Sequence, residues 1–445
     1  MNYLLIIIVN LILYNRTIWY GLIVDDITLY KRGPKGKWDS TKPFRSIKSI
    51  AKNRLYGACM VRNTKIDHLA SLTIHIIVCM LIYRVFNNLA LSLLFAVHPV
   101  TNQVSCWLNG KRYGVVTILV LLMWWVAPLG FLFYFLVPLF QLGGVTAPLL
   151  YLHTEYWYLS LIIPLFFVVW NKEILVKRRI RKKYSSPELR LVRPRKLILY
   201  FKTYGFYFCH CLFPRGIFMY HKFIYEYGLT EKDTANAYRL NYDFYRGVFL
   251  FISSCIVCYI HWGNAIGLGM FWFMIFISVW GNIVTYTQTI ADRYCYLPLI
   301  GLLLALTTLL EPLHGANFIL YGYFIYLASK TDTWIIMYKD LDYFYNYHLL
   351  FNQKCPFPYY LKANEMIVKH RFHSARHYCD EGLIHNPTNY KLYMVLAMTA
   401  SLFKRHDKAI KYLKKAEEFL VPGKEEEQLK VIDDIRQQLN KGVKK

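Results

Sequence analysis

Two adjacent carboxylates, Asp25 and Asp26, stand where the first apolar stretch of the chain ends at Val24. Carboxylates are costly in hydrocarbon and well solvated in water, so a pair at the rim of an apolar run marks a chemical site opening on a membrane surface. Neighbouring like charge and partial desolvation raise one pKa of such a pair, which suits a general base. The same two groups can instead hold a divalent cation, and nothing in the sequence chooses between Asp25 and Asp26. Arg293 is the best candidate for gripping an anion, because a guanidinium matches a phosphate bidentately. Lys111 and Arg112 are second candidates for that role. His98, Glu155 and Asp292 lie near the ends of apolar stretches, where they can hydrogen-bond a polar substrate. Bland readings stand beside these: His98 as a helix-end packing residue, and Arg293 as a snorkelling side chain paired with Asp292. Cys209, His210 and Cys211 adjoin in an aromatic stretch, where packing is a stronger reading than metal ligation.

The elements that must position these groups are apolar helices. The 445 residues are 56% hydrophobic and 18% aromatic, with repeated apolar runs, so the fold class is an all-α polytopic membrane protein. Candidate spans fall at 4–24, 68–86, 88–106, 112–127, 128–142, 155–170, 197–213, 246–261, 264–287, 293–310 and 315–330, about eleven by hydrophobic length. A formal charge of +26 in such a chain finds its counter-charge in membrane lipids and lipid phosphates. Nucleic-acid motifs are absent, so no nucleic-acid partner is expected. The ten cysteines show no zinc-type pairing and read as small core residues.

The stretch 171–196 is strongly basic, including KRRIRKK, and is expected on the cytoplasmic side. Counting spans from it places Asp25, Asp26, Arg293 and the C-terminal tail on the non-cytoplasmic side: periplasm, cell exterior or endoplasmic reticulum lumen. The first external loop, 25–67, is itself basic, against the positive-inside tendency. Within it Phe44, Ile47, Ile50, Ala51 and Leu55 recur at helical spacing, which predicts an amphipathic helix in the headgroup layer.

After residue 330 the chain turns polar and a 34-residue period begins. Tyr359, Ala363, Ala375 and Gly382 are followed by Tyr393, Ala397, Ala409 and Ala416. Small residues at these offsets let two helices of a hairpin approach closely, which is the tetratricopeptide-repeat pattern. The expected domains are therefore 1–330 in the membrane and a helical unit, 331–445, with repeats 356–389 and 390–423. A cap helix is expected over 425–440, and a packing helix within 333–352. The concave face of such repeats suits an extended peptide.

Several stretches together resemble a known family. VDD at 24–26, HLASLTIHIIVCMLIYRVF at 68–86, LALSLLFAVHPVTNQVSCWLNGKRYG at 89–114 and ADRYCYLPLIGL at 291–302 are similar, in order, to motifs of the membrane O-mannosyltransferases that carry transmembrane and tetratricopeptide-repeat parts. These belong to the wider GT-C glycosyltransferases. The resemblance implies inverting transfer of a mannose-like hexose from a polyprenyl-phosphate carrier to Ser or Thr of a protein acceptor. Asp25 or Asp26 would then be the base and Arg293 the phosphate ligand. Thr154 before Glu155, and Tyr113 after Arg112, depart from the family pattern and bear on the donor sugar more than on the reaction. Transfer to a glycan or lipid acceptor is an alternative within the same fold, and a non-catalytic scaffold recruiting partners through its repeats is one outside it. Transport is disfavoured, because the charged groups cluster at rims and not at mid-bilayer.

Overall fold

The computed structural model describes residues 1–23, 26, 63–134, 136–137, 144–161, 193–218, 221, 239–281, 290–353, 355–419 and 432–433. Asp25, the amphipathic helix expected over 44–55, most of the basic stretch 171–196 and nearly all of the expected cap helix lie outside these residues. The described residues are helical and contain no strand.

Among the described residues four helices are long and apolar enough to cross a membrane: Asn2–Trp19, Thr64–Phe86, Tyr242–Ile260 and Asp292–Leu310. The first combines α1 (Asn2–Tyr14) with a 3-10 turn, Asn15–Trp19. α2 (Thr64–Phe86) starts at Asn63, whose Oδ1 accepts the backbone N–H groups of Lys65 and Ile66. It stops at Asn87, held in the left-handed region at φ 49°, and Asn88 then caps α3 (Leu89–Ala96). Two consecutive asparagines thus turn the chain sharply between two apolar helices.

The expected span 88–106 is not one helix. α3 ends after eight residues, and the chain continues as short pieces, Pro99–Thr101, Asn102–Ser105 and Leu108–Gly110, before α4 (Lys111–Trp125). Pro99 supplies no N–H to extend α3, and the His98 imidazole caps the next turn by accepting from Val100 N. Irregular backbone inside an apolar protein is tolerated only where protein covers it, and residues 94–111 are buried throughout.

α5 (Arg193–Leu212), α6 (Tyr242–Ile260), α7 (Ala265–Trp280), α8 (Tyr296–Leu310) and α9 (Ala316–Trp334) follow. Glycines allow close crossings: a side-chain carbon at Gly269 on α7 would stand 2.5 Å from the Gly301 carbonyl oxygen on α8. On α6, Tyr245, Phe249, Ile252, Ile256 and Tyr259 form an exposed stripe at helical spacing. An outward apolar face of that length is what a spanning helix presents to lipid. The domain boundary expected at 330 falls inside α9. Thr331 is buried and donates to Val97 O at 2.6 Å, and Asp332 pairs with Arg16 at 2.8 Å, so these polar residues continue the helix.

α10 (Leu341–Phe351), capped by Asp340, leads into α11 (Pro356–Val368), α12 (Phe372–His385), α13 (Tyr390–Leu402) and α14 (His406–Glu418). The helix starts repeat at the 34-residue interval, and so do the turns. His370 and Lys404 both take positive φ, 56° and 57°, and the next residue donates back to Met366 O and Ala400 O. A side chain in that conformation is strained by roughly 1 kcal/mol relative to glycine. Lys404→Gly is therefore expected to raise the stability of the C-terminal helices by about 0.5–1 kcal/mol, read as a higher thermal midpoint. An unchanged or lower midpoint would argue against this turn geometry.

Candidate functional site

One stretch, 98–113, buried except at Arg112, collects most of the groups that could do chemistry. Asp26 is fully buried, and its Oδ1 accepts the backbone N–H of Asn109 at 3.1 Å. Two positions on, Lys111 Nζ donates to Asp67 Oδ1 at 2.8 Å, with side-chain exposures of 3% and 0%. Asp67 sits in the first turn of α2, where helix N-terminal N–H groups favour negative charge. The two ends of the first loop, Asp26 and Asp67, thus both close onto residues 109–111.

Arg293 reaches the same stretch from the short helical turn Asp292–Cys295 ahead of α8. Its backbone N–H donates to Gln103 Oε1 at 2.8 Å, and its Nε donates to Tyr113 OH at 3.1 Å. The guanidinium lies 5.3 Å from the Trp107 ring centre and 5.0 Å from that of Tyr294. Tyr294 is itself stacked on Trp280 at 4.1 Å. Aromatic faces stabilise the cation and fix its plane, so Arg293 is a built-in feature of a buried site and not a side chain reaching for the interface.

Other expected site residues are placed differently. The Lys111 ammonium is paired with Asp67, which ties the start of α2 to the start of α4. Arg112 is half-buried, and its Nε donates to Asn109 O at 3.3 Å, within its own turn. His98 has both ring nitrogens engaged: Nδ1 accepts from Val100 N, and Nε2 meets Cys211 O at 2.9 Å. It ties the stretch to α5 as a packing residue. Glu155 is exposed in the turn between Ala147–His153 and Trp157–Leu161, and no described hydrogen bond joins it to Asp26 or Arg293.

Asp292 does not pair with its neighbour Arg293. Its Oδ1 lies 3.0 Å from His210 Nε2 and 2.5 Å from His221 Nε2, and its Oδ2 accepts Phe218 N–H at 2.9 Å. Successive residues of a tight turn point to different sides, which sends Arg293 to 103–113 and Asp292 to the end of α5. Phe218 also touches α10, at 5.7 Å from Tyr347 and 5.8 Å from His348 between ring centres. Burial holds the His348 imidazole down at about 4, so it is neutral at pH 7. The C-terminal helices are thereby coupled by packing to the segment that carries Asp292 and Arg293.

Sequence reasoning passed over Asp67, Gln103 and Tyr113 as site residues. A lysine embedded at the start of an apolar helix needs a buried counter-charge, and Lys111 was in that sense a signal for Asp67. The meeting of His210, His221 and Asp292 joins positions far apart in the chain and has no local signature. No family model, curated protein or solved structure matches the chain.

Proposed function

We propose that this chain is a multi-pass membrane glycosyltransferase that moves a hexose, mannose-like, from a polyprenyl-phosphate carrier to a Ser or Thr hydroxyl of a protein. The observation that supports this reading is the shared stretch 98–113, which holds an acid of the first loop through Asn109 and the Arg293 cation through Gln103, Trp107 and Tyr113. Transfer from a lipid phosphate needs a base for the incoming hydroxyl and positive charge for the departing phosphate.

In the proposed reaction a carboxylate of the Asp25–Asp26 pair takes the hydroxyl proton as that oxygen attacks the anomeric carbon. The carbon–oxygen bond to phosphate breaks, and the electron pair leaves with the polyprenyl phosphate, whose charge Arg293 stabilises. One displacement inverts the anomeric centre, so no carboxylate nucleophile is required. The Asp67–Lys111 pair ties the far end of the first loop to the stretch whose Asn109 holds Asp26. The helical pairs after residue 355, read as tetratricopeptide repeats, present an extended acceptor peptide. The site and the repeats belong to the non-cytoplasmic side.

Mass spectrometry of proteins from cells with and without the intact chain tests the reading. Hexose on Ser or Thr of a set of peptides is expected to disappear with the chain. Unchanged peptides together with unchanged lipid-linked sugars would favour a scaffold, and an unchanged peptide set with altered glycans or lipids would move the acceptor class.

A further inference from the structure

We propose that His210, His221 and Asp292 form a divalent metal site of the zinc class. The donor atoms, two imidazole Nε2 and one carboxylate oxygen, lie within 4.8 Å of one another, and all three residues are buried. Both imidazole edges face the same oxygen, Oδ1, while Oδ2 is taken by the Phe218 N–H. A purely hydrogen-bonded cluster needs both Nε2 atoms protonated and aimed at that one oxygen. A divalent ion among the three donors instead lets two neutral imidazoles and one carboxylate face a single charge.

The surroundings fit an ion of intermediate softness. The Phe206 ring stacks on His210 at 5.2 Å and meets His221 edge-on at 5.3 Å, and Phe218 closes on His221 at 5.5 Å. Imidazole donors in an apolar shell select zinc-like ions over magnesium or calcium, which take oxygen donors and water. Three protein donors are also the number a zinc ion with one exchangeable position takes. The ion would fasten three separate parts of the chain: the end of α5, the segment containing His221, and the turn that carries Arg293. Its role is to position Arg293, and it stands whether or not the chain transfers sugar.

Elemental analysis of the detergent-purified full chain tests the site directly. Wild-type protein is expected to hold about one zinc per chain, and EDTA treatment should lower its thermal midpoint, with zinc chloride restoring it. His221→Gln and His210→Ala are expected to lose at least about tenfold in zinc affinity, whereas Cys209→Ser retains it. Size-exclusion profiles show whether each variant folds, and if both histidine variants aggregate, the EDTA and zinc titration of wild type decides. Zinc at background level in wild type with no stabilisation on zinc addition would overturn the proposal. Zinc retained in both folded histidine variants would overturn it as well.

Discussion

Asp26→Asn is expected to lower sugar transfer by roughly 10²–10⁴-fold while the protein remains folded and at normal abundance. Asparagine keeps the size of the side chain, and its carbonyl oxygen can still accept the Asn109 N–H that Asp26 Oδ1 accepts at 3.1 Å. What it removes is the negative charge and the capacity to take a proton. Loss of one phosphate-stabilising group at Arg293→Gln is expected to cost about 10²–10³-fold in turnover. Glutamine there keeps the backbone N–H bond to Gln103 and gives up the Nε bond to Tyr113, so a size-exclusion profile checks the fold of this variant. The two losses can be told apart by pH. The base variant flattens the acid limb of the rate profile, whereas the Arg293 variant keeps that limb at lower height. Transfer in Asp26→Asn at wild-type rate would assign the base to Asp25 or remove the pair from the chemistry, and Asp25→Asn distinguishes these.

Lys111→Met should destabilise the protein by about 3–5 kcal/mol, because it withdraws the ammonium from a fully buried carboxylate at Asp67. The double variant Asp67→Asn with Lys111→Met is expected to recover most of that loss, since two uncharged groups of similar size replace the pair. Thermal or mild-denaturant unfolding in detergent gives the midpoints for a double-mutant cycle. A Lys111→Met variant as stable as wild type would contradict the ion pair. The same double variant also separates two roles for Lys111. If the lysine positions the loop, transfer largely survives in the neutral pair, and if it binds phosphate, transfer is lost although stability returns.

How far the chain could be read before folding varies by kind of interaction. The apolar runs around 68–86, 246–261 and 293–310 coincide with helices, because hydrophobic length is a local property written in consecutive residues. The interval between Tyr359 and Tyr393 is equally local in character, and the starts of α11 and α13 fall at the same interval. The stretch 88–106 reads as one span and folds as several pieces, because hydropathy registers its apolar side chains and not the capping by His98, the missing N–H of Pro99 or the burial of its backbone. Asp26 and Arg293 were nameable from charge at the rims of apolar segments. Their meeting on 98–113 depends on Gln103, Trp107 and Tyr113, whose types are ordinary in an aromatic membrane protein. Asp292 reads from the sequence as a group for a polar substrate, and its carboxylate meets His210 and His221, contacts across separations that leave no periodicity to read.

Purified chain in vesicles containing polyprenyl-phosphate mannose, incubated with Ser- and Thr-containing peptides, offers the most direct measurement, with mass spectrometry reading addition of a single hexose. Wild type is expected to add it to a hydroxyl side chain, and Arg293→Gln to do so at least about 100-fold more slowly. Transfer that is absent in folded wild type across phosphate-linked hexose donors, or undiminished in Arg293→Gln, would contradict a transfer site built on Asp26 and Arg293.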